Sequence, residues 1–102
     1  MREVYVYEVK LPHENEPVLR KILIKEWEEK DGLSPDARRG DISHVAYITD
    51  EDGQHMLAPH TGLPMRFYGR ASEGLNAAVQ SKAQAEDYLR KNSEYIKAIN
   101  SF

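Results

Sequence analysis

The chain has 102 residues, of which 40% are hydrophobic and 30% charged, so its length and composition predict one folded domain over residues 1–102. It carries 17 acidic and 14 basic residues, interleaved along the sequence, and the resulting net charge of −3 disfavours a general polyanion binder. The absence of cysteine excludes disulfides, thiolate metal sites and a cysteine nucleophile.

The N-terminal residues bear on where the protein is located. Residues 1–11 (MREVYVYEVKL) alternate polar and apolar side chains, whereas a signal peptide has a charged start followed by an apolar run. The chain contains no stretch of 18 apolar residues, so we expect no membrane-spanning segment and no membrane partner. The sequence therefore predicts a cytoplasmic protein.

The first two predicted elements lie on either side of a polar turn at residues 13–17 (HENEP). Residues 3–11 are rich in β-branched and aromatic side chains that alternate along the chain, which predicts a strand. Residues 18–30 fit two interpretations. As a helix they would place Glu26 within the apolar face and Ile24 outside it, so we favour a strand that pairs with residues 3–11.

The middle of the chain predicts a surface loop, a hairpin and a short strand. Residues 31–42 hold two glycines, a proline and no periodicity, which is typical of a loop. Residues 43–49 alternate and lead into Asp50–Gly53, which predicts a hairpin whose return strand begins near Gln54. A further turn at residues 58–64 precedes a strand at residues 65–68.

The remainder is predicted to be helical, at least over residues 82–91. The sequence allows one long helix that begins at Ser72, or a second helix that begins at Ser81. Ile96 and Ile99 continue a roughly helical spacing of apolar anchors beyond that range. These elements together predict an α+β fold with two layers. In it, an antiparallel sheet of about four to five strands has the C-terminal helix or helices packed on one face.

The strongest ligand-binding pattern lies at residues 66–70, in and just after the last predicted strand. Alternation along a strand would place Arg66, Tyr68 and Arg70 on one face, so that two guanidinium groups flank one aromatic ring. Such a row could bind a phosphate, a carboxylate or a stacked base. The alternative is a solvated face whose arginines pair with nearby carboxylates.

Histidines form a second candidate site. A hairpin could bring His44 near His55, and His60 follows in the next loop, while His13 lies in another turn. The spacing matches no metal-binding motif, so we predict neither a metal site nor a cofactor, and we interpret His55 and His60 as loop residues or as the wall of a small-molecule pocket beside Arg66 and Tyr68.

The N-terminal strands carry more aromatic and aliphatic side chains than one helical layer needs to cover. We therefore predict an interface for a second copy or another protein, with these candidate contact residues: Tyr5, Tyr7, Leu23 and Trp27. No serine lies in a nucleophile motif and no phosphate-binding loop occurs. The sequence thus favours a non-catalytic interaction protein, with nucleic-acid or anion binding and small-molecule binding or catalysis as alternatives.

Overall fold

The computed structural model describes residues 3–33, 39–58, 61–93 and 95–101. Its five strands and one α-helix run in this chain order: β1 Glu3–Lys10, β2 Val18–Glu26, β3 Ile42–Thr49, β4 Arg66–Arg70, α1 Ala77–Asn92 and β5 Tyr95–Ser101. Three short 3-10 segments connect them at Glu29–Asp31, Arg39–Asp41 and Ala71–Asn76.

The strands form one antiparallel sheet in the order β4-β3-β2-β1-β5, with β2 in the centre. Helix α1 packs on one face of this sheet, mainly over β3 and β4. The two-layer α+β architecture predicted from the sequence is therefore confirmed. None of the helices in the described ranges is both long and apolar enough to cross a bilayer.

Burial along β2 explains why this segment is a strand. Arg20, Ile22 and Ile24 are buried beneath α1, whereas the residues between them lie on the opposite face. As a strand, the segment buries Ile22 and Ile24 on one face and leaves Glu26 exposed. A helix would have placed Glu26 within the apolar face and Ile24 outside it. The strand ends at Glu26, so the prediction for residues 18–30 is correct for its first nine residues.

Two expectations about individual elements are wrong. Residues 95–101 form strand β5 rather than a continuation of the helix, because Ser93 is already extended (φ −124°, ψ 148°) and the following residues pair with the free edge of β1. Near Gln54 the chain makes an isolated bridge between His55 and Thr49 instead of a return strand. There the carbonyl of Met65 accepts the N–H of Ile48. The chain continues from Met65 into β4, and β4 is the strand that pairs with β3.

The core lies between α1 and the sheet. Its buried members are Tyr7, Val9, Leu11, Ile22, Ile24, Ala46, Ile48, Met65, Ala85 and Leu89. The helix contributes a row of mostly small side chains at four-residue spacing, from Ala77 through Ser81 and Ala85 to Leu89, and this row brings it close to β4. At Gly69 a Cβ atom would lie 2.0 Å from the carbonyl oxygen of Ala77, so only glycine fits there.

Candidate binding surface

On the face of the sheet opposite α1, the described residues place no further strand and no α-helix. We call this face the open face, and define it by these residues: Leu19, Lys21, Leu23 and Lys25 of β2, Val45, Tyr47 and Thr49 of β3, and Arg66 and Tyr68 of β4. Across it, Leu23 pairs with Tyr47 and Tyr47 with Arg66. The order of the strands therefore gathers side chains that are far apart in the sequence.

Residues 27–33 fold over the β4 side of the open face. The backbone N–H of Trp27 donates to Ser43, and its indole Nε1 donates to the carbonyl of Gly32 at 3.2 Å. The hydroxyl of Tyr68 donates to the same carbonyl at 3.3 Å. Gly32 has φ 70°, a conformation that glycine adopts at little cost, and it follows Asp31, whose carboxylate contacts β2 and β3.

The carboxylate of Asp31 is the centre of the polar contacts on this face. Its Oδ1 lies 2.5 Å from Nζ of Lys25 and accepts the hydroxyl of Tyr47 at 3.0 Å, while its Oδ2 accepts the N–H of Glu28 at 2.7 Å. Only 6% of the Asp31 side chain is exposed. Because each oxygen has a donor, the buried charge is compensated and the 27–33 segment is anchored to the sheet.

The contacts of Asp31 determine its ionisation. Burial by itself would raise the pKa of Asp31, but hydrogen bonds from Lys25, from the N–H of Glu28 and from Tyr47, with the positive charge of Lys25, outweigh it. The net effect lowers the pKa of this carboxyl below its usual value of 3.8. Asp31 is therefore ionised at neutral pH.

The partner hydroxyl of Tyr47 is shifted the other way. Burial, the hydrogen bond to Asp31 and the negative charge of Asp31 together raise the pKa of Tyr47 to about 12, although Arg66 opposes the shift. Tyr47 is thus a neutral hydrogen-bond donor at physiological pH. Neither group exchanges protons near pH 7, as a general acid or base at that pH would have to do.

The predicted row of Arg66, Tyr68 and Arg70 is only partly open. Arg66 donates through Nη1 to the backbone carbonyl of Asp31 and lies 5.9 Å from the centre of the Tyr68 ring. Arg70, the last residue of β4, pairs with Ile42 beyond a bulge. The structure thus places the first two members of the row against the 27–33 segment, where they bind carbonyl oxygens.

The predicted histidine site is not assembled by β3 in the way that the sequence suggested. His44 pairs with Glu26 and Gly69, whereas His55 bridges Thr49, five residues further along the strand and about 16 Å away. His60 lies outside the described residues. Among the residues that are described, no three histidine or acidic side chains converge as metal ligands would.

His55 belongs instead to a pocket on the open face. Its ring is tilted against that of Tyr47, with 4.6 Å between ring centres. The pocket has a volume of about 190 Å³ and is lined by Leu23, Lys25, Asp31, Tyr47 and His55. Sequence reasoning missed Lys25, Asp31 and Tyr47 as site residues, since they come from a strand, a presumed loop and a second strand with no local motif to link them.

The predicted interface residues lie on different parts of the molecule. Tyr7 is 8% exposed and belongs to the core beneath α1, so its side chain is not at the surface. Leu23 and Trp27 are half-buried, the first in the pocket and the second against Gly32. The side chain of Tyr5 lies outside the described residues, although its backbone pairs with Ile22. Leu19, which is 43% exposed, is the large apolar side chain most accessible on β2.

No protein-family model matches this chain, and no characterised protein and no solved structure matches it either.

Proposed function

We propose that this protein is a non-catalytic interaction module that binds a second copy of itself through the open face. The observation that carries the proposal is the position of Leu19, a large apolar side chain left 43% exposed on the central strand of the sheet. Leu23 lies four residues further along the same strand face and is half-buried, with the exposed Lys21 between the two leucines, and α1 covers neither leucine. Covering Leu19 in a dimer would remove apolar surface from water.

The polar groups of the open face support binding rather than chemistry. Lys25, Asp31 and Tyr47 satisfy one another, and the pKa of Asp31 is lowered while that of Tyr47 is raised to about 12. Such a network keeps its protonation state across neutral pH and gives the face a fixed shape. Preformed surfaces of this kind associate with little conformational cost.

Light scattering coupled to gel filtration tests the proposal. The wild-type protein should have a mass of about twice 11.7 kDa at micromolar concentrations. Leu19→Asp should halve that mass, because a charge would be buried in the contact. Leu75→Asp is the matched control, since Leu75 is fully exposed in the Ala71–Asn76 segment, outside the open face, and its substitution should leave the dimer intact.

A concentration-independent mass near that of one chain in the wild type would overturn the proposal, as would a dimer that survives Leu19→Asp. We also propose that the protein is cytoplasmic, as its sequence predicts.

Nucleic-acid binding through Arg66, Tyr68 and Arg70 stays a prediction. It would require an affinity for a short oligonucleotide that falls steeply as salt is raised from about 50 to 200 mM.

A further inference from the structure

The pocket beside Tyr47 combines an apolar wall with charges that balance each other. Leu23 and the tilted rings of Tyr47 and His55 form the apolar wall. The two charged members of the lining, Lys25 and Asp31, form an ion pair at 2.5 Å, and Asp31 also accepts the hydroxyl of Tyr47. Because the ion pair is neutral as a whole, the pocket suits an uncharged, apolar group better than an ion.

The pocket is large enough for an aliphatic side chain. Its volume of about 190 Å³ exceeds the ~150 Å³ of an engineered protein cavity that holds benzene, and benzene is larger than the side chain of leucine. The pocket is half open, and His55 in its lining is exposed. A side chain of another molecule can therefore enter it from the solvent side.

Leu19 is an apolar side chain that lacks such a cover. It lies on the same face of β2 as Leu23 and is 43% exposed. The two leucines are four residues apart in a strand, which corresponds to about 13 Å, so Leu19 cannot fill the pocket of its own chain. Lys21 lies between them and is exposed, and its long flexible stem lets the ammonium group reach solvent at the edge of a contact.

Two-fold symmetry can join the exposed leucine to the pocket. In a dimer of identical chains related by a two-fold axis, each contact is made twice, because residue i meets residue j and residue j meets residue i. An axis that passes near Lys21, between Leu19 and the pocket, places each leucine at the pocket of the other chain. One arrangement thus covers both leucines and fills both pockets.

We propose that Leu19 of each chain inserts into the pocket of its partner, against the partner's Leu23 and the partner's Tyr47–His55 pair. This inference rests on the self-association proposed above, and it specifies the contact that holds the two chains together. The occupant of the pocket is therefore a second copy of this chain. The ion pair of Lys25 and Asp31 stays intact beneath the inserted side chain.

Isotope-filtered NMR of a mixed dimer tests this contact in the wild-type protein. Equal amounts of ¹³C-labelled and unlabelled full chain are combined, and only NOEs between different chains are recorded. We expect NOEs from the methyl protons of Leu19 to the ring protons of the partner's Tyr47 and the partner's His55. A dimer without these NOEs would overturn the insertion and leave self-association standing, whereas a wild-type chain that is monomeric would overturn both.

Variants measure the contribution of each side of the contact, with the dimer dissociation constant taken from sedimentation equilibrium. Leu19→Ala should raise this constant about ten- to a hundredfold, since it removes most of the inserted side chain. Val79→Ala is the matched control, because Val79 is also an exposed apolar residue but lies on α1, which packs on the opposite face.

His55→Ala should raise the dissociation constant about three- to tenfold by removing one wall of the pocket, and because His55 is exposed the variant should fold normally. His44→Ala should leave the constant unchanged, since His44 does not line the pocket. An unchanged constant in either Leu19→Ala or His55→Ala would overturn the insertion.

Discussion

The hydroxyl of Tyr47 donates to Oδ1 of Asp31 at 3.0 Å across a sequence separation of 16 residues. This contact joins the middle of β3 to the 3-10 segment Glu29–Asp31, which follows β2. With the ion pair between Asp31 and Lys25 it holds the 27–33 segment on the open face. The shape of the candidate pocket therefore depends on one carboxylate.

Replacing that carboxylate should loosen the segment. Asp31→Asn removes the charge that Lys25 neutralises, so we expect the free energy of unfolding to fall by about 1–3 kcal/mol. Urea denaturation at pH 7 measures the change. Glu51→Gln, at an exposed turn position, is the control and should have little effect. An equally stable Asp31→Asn variant would show that the contacts of Asp31 do not stabilise the fold.

Acid should destabilise the protein through two carboxyls. Asp31 and Glu14 both have a pKa below their usual values of 3.8 and 4.5; burial opposes the shift at Glu14, but the hydrogen bonds from Arg20 and Leu11 and the positive charges of Arg20 and His13 outweigh it. The folded chain therefore binds fewer protons than the unfolded chain, so this contribution is complete above the usual pKa and is lost as pH falls through the folded one. The urea midpoint should fall between about pH 5 and pH 3, less steeply in Asp31→Asn. A midpoint that is constant over this range would contradict the assignment.

The phenol of Tyr47 should ionise only at high pH. Burial and Asp31 raise the pKa of Tyr47 to about 12. Absorbance at 295 nm should therefore show a phenol that ionises near pH 12, and Tyr47→Phe should remove that step. A raised folded pKa also means that this group stabilises the fold below pH 10 and that its contribution is lost as the pH approaches 12. A titration at high pH that is unchanged in Tyr47→Phe would refute this.

Gly69 should not tolerate a side chain. In Gly69→Ala the new Cβ would lie 2.0 Å from the carbonyl oxygen of Ala77 and 2.5 Å from Oγ of Ser81, so α1 would have to move away from β4. We expect a loss of about 1–3 kcal/mol or more in the free energy of unfolding. Gly40→Ala is the matched control, because nothing lies within 4 Å of its Cβ position. Similar stability of the two variants would disprove the close approach.

The ion pair between the buried guanidinium of Arg20 and Glu14 should stabilise the fold. Arg20 is 3% exposed and lies 2.5 Å from Oε1 of Glu14, which also accepts the N–H of Leu11. Glu14→Gln should lower the free energy of unfolding by about 1–3 kcal/mol, since it leaves the buried charge of Arg20 uncompensated. The double variant with Arg20→Met should be less unstable than the sum of the two single variants. Additive effects in urea denaturation would show that the two side chains are not coupled.

Local pattern gave most information where a segment had one face to bury. The alternation in residues 3–11 predicted a strand, that in residues 18–30 favoured a strand over a helix, and the composition of residues 82–91 predicted a helix, because burial on one face leaves a period in the sequence. The same reasoning failed for Ile96 and Ile99, whose three-residue spacing fits a helix. Their segment forms a strand because it pairs with the edge of β1 that β2 leaves free.

The candidate site could not be predicted in the same way. Arg66 and Tyr68 were identified from alternation in β4, but no pattern in the sequence indicated that they would donate hydrogen bonds to the carbonyls of Asp31 and Gly32. Lys25 and Tyr47 have no distinguishing context in the sequence. They become neighbours of Asp31 only because β2 and β3 pair in one register and the 27–33 segment folds back across them.

The amino-acid sequence thus determined the two-layer class, the alternating strands and the lack of cysteine chemistry, since these follow from composition and from side-chain periods within one element. Tertiary structure decided which side chains meet on the open face, that β5 completes the sheet, and that Asp31 is ionised while Tyr47 is not. Those properties depend on distances between atoms of different elements, and strand order and register set such distances.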